Sequence, residues 1–132
     1  MRVTHVSLLV RDQREAQQWY SDKLGWVTVT DMEFPGGGGH WVTMAPPEQG
    51  GLEVVLDLPT WGGGSADPSR EGMVGKAPGF VLYVEDCQAI YEQLSAKGVE
   101  FTSPPEAMPW GVSAVFVDLY GTAHNFVQPP TP

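Results

Sequence analysis

The chain has 132 residues, enough for one domain and short for two. Seven basic against sixteen acidic residues leave a formal charge of −9, which argues against a phosphate-binding nucleic-acid partner and against docking on an anionic membrane. Sixteen Gly and twelve Pro promise many turns, but 42% hydrophobic residues can fill a core, so disorder is excluded.

Val3–Val10 is expected as a strand, with Val6, Leu8 and Val10 on one face and His5, Ser7 and Leu9 on the other. Asp12 is placed to cap a helix, with Glu15 in a capping-box relation. Ala16, Trp19, Tyr20 and Leu24 form its apolar stripe, and Gly25 ends it. Trp26–Glu33, His40–Met44 and Leu52–Leu58 read as three further strands. The Gly, Ser and Pro of residues 59–78 read as a linker.

The second half repeats the first. Phe80–Val84 is a strand, Asp86 caps a helix carrying Cys87, Ile90, Tyr91 and Leu94, and Lys97-Gly98 closes it. Val99–Thr102, Val112–Leu119 and Ala123–Gln128 supply strands. One constant offset carries Val10 to Val84, Asp12 to Asp86 and Lys23 to Lys97, and Val55–Pro59 matches Asn125–Pro129. The expected organisation is module one at 1–58, a linker at 59–78 and module two at 79–132, within a single domain.

Cys87 is the only cysteine, which excludes an intrachain disulfide and a Cys-based zinc cage. Its place on the helix stripe predicts a buried thiol. Met1–His5 lacks the apolar run of a signal peptide, and no apolar stretch has the length of a membrane span, so a soluble cytoplasmic protein is expected. No G-x-S-x-G elbow supports a serine hydrolase, and Gly36–Gly39 and Gly62–Gly64 lack the Lys-Ser/Thr tail of a phosphate loop.

His5 through Asp12, Trp19-Tyr20 and Leu24-Gly25-Trp26 resemble the opening of the vicinal oxygen chelate superfamily, which includes glyoxalase I, bleomycin-resistance proteins and extradiol dioxygenases. Tyr83-Val84-Glu85-Asp86, Leu94, Lys97-Gly98-Val99, Pro104-Pro105, Trp110-Gly111, Asp118 and Gly121 resemble it again in the second half. The resemblance implies an α+β fold of tandem βαβββ modules forming a cupped mixed sheet, helices on the outer face, completed in a homodimer. It also implies that metal-dependent members hold a divalent ion with four side chains on the first and last strands of each module. Here His5 fits, but Gly79 stands at its repeat mate, Asn125 at the last-strand position, and Val55 at that residue's mate. The reading is therefore no metal and no cofactor.

What remains is a metal-free small-molecule binding protein of the glyoxalase/bleomycin-resistance type, sequestering a cationic or aromatic ligand. Contacts are expected from His5, Glu53, Val55, Asp57, Gly79, Trp110 and Asn125, the residues on the inner side of the cup. Trp41 and Trp61 join Trp110 as candidate rim aromatics. His40 reads as a surface histidine and His124 as facing away from the cup. Two alternatives stay open: a divalent-metal-dependent lyase or dioxygenase using His5, and a metal-independent enzyme with His5 as general base.

Overall fold

The structure is a computed structural model that describes residues 1–37, 39–60 and 68–131. Trp61 and Gly62–Gly64 lie outside the described residues. The chain divides into two compact units, the first running from Met1 to Val74 and the second starting at Gly75.

In the first unit β1 (His5–Leu9) leads to α1 (Gln13–Leu24), then β2 (Val27–Glu33), β3 (His40–Ala45) and β4 (Glu53–Asp57). The strands form one sheet in the order β1-β4-β3-β2, with β1 parallel to β4 and the other pairs antiparallel. Asp12 caps α1: its carboxylate accepts the Glu15 amide at 3.0 Å. Gly25 ends the helix at φ 70°, a conformation a Cβ would strain. Val10, Ala16, Tyr20, Val42, Met44 and Leu56 are buried and form the core under the helix. At the N-terminal end of α1, the Gln13 amide ties strands together by donating to the His40 and Leu56 carbonyls at 3.0 and 2.9 Å.

A 3-10 helix, Pro68–Met73, follows inside the segment expected as a linker. The second unit then repeats the first: β5 (Val81–Tyr83), α2 (Cys87–Ala96), β6 (Glu100–Met108), β7 (Gly111–Val117) and β8 (Ala123–Gln128), in sheet order β5-β8-β7-β6. Asp86 caps α2 as Asp12 caps α1, its carboxylate accepting the Ala89 amide at 3.0 Å. Register confirms the internal repeat. Ser7 pairs with Val55 as Val81 pairs with Asn125, and the Val10 amide bonds the Asp57 carbonyl as the Val84 amide bonds that of Val127. The fold is thus α+β, two βαβββ modules each with its own mixed sheet.

One strand departs from expectation. β6 continues to Met108, straight through Pro104-Pro105, instead of ending near Thr102. Proline lacks the N–H a ladder needs and is tolerated only on an edge or at a bulge. Both conditions hold: β6 is an edge strand, and its pairing skips from Ser103–Val115 to Glu106–Ser113, leaving the prolines in a bulge.

Candidate functional site

Each sheet buries one face beneath its helix and turns the other away from it. In the first unit, strand alternation and register place His5, Ser7 and Leu9 of β1, Glu53, Val55 and Asp57 of β4, and Trp41 and Thr43 of β3 on the open face. A polar chain crosses it. The Thr30 amide donates to Thr43 Oγ1 at 3.1 Å, and the Thr43 hydroxyl donates to Glu53 Oε1 at 2.5 Å. Glu53 Oε2 lies 3.7 Å from His5 Nε2, and His5 Nδ1 meets Thr4 Oγ1 at 2.8 Å. The His5 ring also tilts against Trp41, centroids 5.7 Å apart. Val55 is buried beside this chain.

Asp57, on the same face, is held in an ion pair. Arg70, on the 3-10 helix, donates to its Oδ2 at 2.6 Å. That ion pair is mostly buried, so the carboxylate's charge is met from within the unit. His40 sits at the start of β3, its Nδ1 3.4 Å from Asp31, which also binds Arg14. The Arg14 guanidinium holds the Asp31 carboxyl below the usual carboxylate range.

In the second unit the open face contains a cavity of about 420 Å³. Its walls are Val81, Val115 and Val127, with Met108 and Trp110 from the β6–β7 hairpin, and its polar points are Ser103, Ser113 and Asn125. No lining residue is ionisable. The volume falls within the range of about 300–1,000 Å³ typical of small-molecule sites. Trp110 is 58% exposed, and its indole N–H donates to Ser113 Oγ at 3.0 Å, which holds the ring at the mouth.

Two of the expected contacts, Trp110 and Asn125, therefore meet in one cavity, and His5, Glu53, Val55 and Asp57 share the open face of the first unit. Gly79 joins neither group. A Cβ there would overlap the Ala123 carbonyl oxygen and stand 2.5 Å from His124 Nδ1. Close approach of backbone to backbone accounts for the glycine. The other cavity residues escaped sequence reasoning. Val127 shares Asn125's face two residues on, and Val81 and Val115 pair directly with Asn125, so alternation from Asn125 was the available signal.

His124 lies on the opposite face from Asn125, only 1% exposed, as alternation required. Cys87 is buried, and desolvation, with Asp86 adding to it, pushes its thiol pKa up. Native protein should therefore resist iodoacetamide, with full labelling of one thiol appearing only in denaturant. Rapid native labelling would show that α2 opens readily. Among the described residues, no three His, Cys, Asp or Glu side chains cluster closely enough to hold a metal ion. No helix among them is long and apolar enough to cross a membrane.

Tandem βαβββ modules, each with a helix-covered face and an open face, define the class of fold. The chain belongs to the Glyoxalase/Bleomycin resistance protein/Dioxygenase superfamily, whose family model matches residues 2–128. It is similar to the uncharacterized protein YurT of Bacillus subtilis (strain 168), with 32% identity covering 97% of this chain and 99% of that one. Among solved structures it resembles UcmS2, with a TM-score of 0.84 and 31% identity over 97% of this chain and 98% of that one. It also resembles TnmS3, an antibiotic binding protein from Streptomyces sp. CB03234, with a TM-score of 0.77 and 27% identity over 98% of this chain and 97% of that one.

Proposed function

We propose that this protein is a metal-free small-molecule binding protein that sequesters an aromatic ligand, working as a homodimer. The observation that carries the reading is the cavity of the second unit, walled by Trp110, Met108 and three valines, with Ser103, Ser113 and Asn125 as its hydrogen-bonding points. Such a lining rewards a flat apolar body bearing a few hydroxyl or carbonyl groups. Between the aromatic and the cationic ligand the lining favours the first. It holds no carboxylate, and Asp57 is already paired with Arg70. The similarity to an antibiotic binding protein supports a small-molecule ligand.

A resident divalent ion does not fit the donor chemistry. His5 and Glu53 offer two donors in the first unit. Their counterparts in the second are Gly79, where no side chain has room, and Ala123, while Asn125 offers only a neutral amide. The His5–Glu53 approach is the one observation that favours a metal-dependent enzyme. It makes His5 the residue on which the two readings part.

The test begins with native mass spectrometry of freshly purified protein. The expected spectrum shows a dimer without stoichiometric divalent metal. Titration with the neutral fluorophore N-phenyl-1-naphthylamine should then give saturable binding, with a Kd on the order of micromolar. Near-stoichiometric metal that His5→Ala removes would replace this reading with the enzymatic one. A protein that binds neither the fluorophore nor any member of a panel of aromatic antibiotics would overturn it outright.

A further inference from the structure

The cavity's weakest wall is β5. It is three residues long, lies at the sheet edge and, among the described residues, pairs only with β8. Val81 and Tyr83, its first and last residues, are 69% and 67% exposed, so little packing holds the strand. Yet Val81 lines the cavity, and its position sets the width of one side.

A buried residue that no binding role explains stands directly behind it. The Phe80 amide donates to His124 Nδ1 at 2.9 Å, and the two rings stack nearly parallel, centroids 5.2 Å apart with 10° between planes. That bond requires Nδ1 to be the unprotonated nitrogen, which leaves the N–H on Nε2. Nε2 lies on the side of Asp118, 3.9 Å from Oδ2. Asp118 is fixed in turn, its Oδ1 accepting the Tyr120 and Thr122 amides at 2.9 Å each. On its far side the His124 ring leans on Phe116, centroids 5.3 Å apart. The absence of a side chain at Gly79 is what lets the chain come close enough for this bond, since a Cβ would stand 2.5 Å from Nδ1.

We propose that His124 is a positioning residue for the ligand cavity: through Nδ1 it anchors the Phe80 amide and so sets where the Val81 wall of β5 stands. The proposal rests on the reading of this cavity as the ligand site. It assigns the His124–Phe80 anchor to the far face of the sheet, acting on a ligand it never touches.

Two substitutions separate anchoring from core filling. His124→Phe keeps a stacked ring but removes the acceptor, and His124→Leu does the same without the ring should the first fail to fold. His124→Asn loses the ring but offers Oδ1 close to where Nδ1 stood. By hydrogen–deuterium exchange on the full chain, the acceptor-less variant should expose Phe80–Tyr83 roughly tenfold faster and weaken N-phenyl-1-naphthylamine binding by a similar factor. His124→Asn should recover both to within about threefold of wild type, even though its smaller side chain lowers the melting temperature. If exchange and affinity simply follow melting temperature, with Asn no better than Phe, His124 only fills the core and the proposal falls. Faster β5 exchange with unchanged affinity overturns it too. If wild type does not bind the fluorophore, the proposed function fails, while the exchange comparison still decides whether His124 holds β5.

Discussion

Trp110→Ala should weaken binding of a neutral aromatic ligand by about 2 kcal/mol, roughly thirtyfold in Kd, while leaving the fold intact. The indole is 58% exposed in the free protein, so folding gains little from it. Its ring makes an exposed hydrogen bond from Nε1 to Ser113 Oγ, which water can replace. A ligand entering the cavity would cover that ring, and the apolar area removed from water then counts toward binding alone. Fluorescence titration reads the affinity, and a thermal melt within a few degrees of wild type shows that the loss is local. Trp110→Phe keeps a flat face and should retain most of the affinity. Equal affinity in wild type and Trp110→Ala would mean that the ligand sits elsewhere.

Gly79→Ala should destabilise the protein by about 3 kcal/mol, near the upper end of what overpacking costs. One methyl group is enough, because it would overlap the Ala123 carbonyl oxygen, a backbone atom that cannot swing aside as a side chain does. To make room, the chain before β5 must move away from β8. That strains the 2.9 Å bonds by which the Asn125 amide reaches the Phe80 carbonyl and the Phe80 amide reaches His124. In a domain of this size the change should appear as a fall of roughly 10 °C in Tm. Gly98→Ala is the control: nothing lies within 4 Å of its added Cβ, so only the left-handed backbone at φ 86° resists it, and the loss should be near 1 kcal/mol. Equal losses at the two glycines would show that the close approach at Gly79 is not tight.

Much of this molecule is legible one residue at a time. Asp12 and Asp86 followed by apolar stripes announce two capped helices, because a cap needs only its own helix's first turn. The alternation of Val6, Leu8 and Val10 with His5, Ser7 and Leu9 sorts β1 into a buried and an open face, because a strand's period is two whatever it pairs with. The same rule put His124 inside and Asn125 outside. It did not carry β6 through Pro104-Pro105, since whether proline is tolerated depends on the strand being at an edge, and sheet order is not a local property.

The sequence by itself therefore determined the repeat, the helices and which residues face away from the helices, all set by local periodicity and spacing, while its motifs carried the resemblance to the family that the family model bears out. Only the tertiary structure decided which of those residues meet. It joined Trp110 to Asn125, Val81 and Met108 as one cavity, paired Asp57 with Arg70, and set Gly79 in close packing against β8. Each of these outcomes depends on strand register or on a contact between residues distant along the chain. A one-residue slip in pairing would reverse them without altering any local preference.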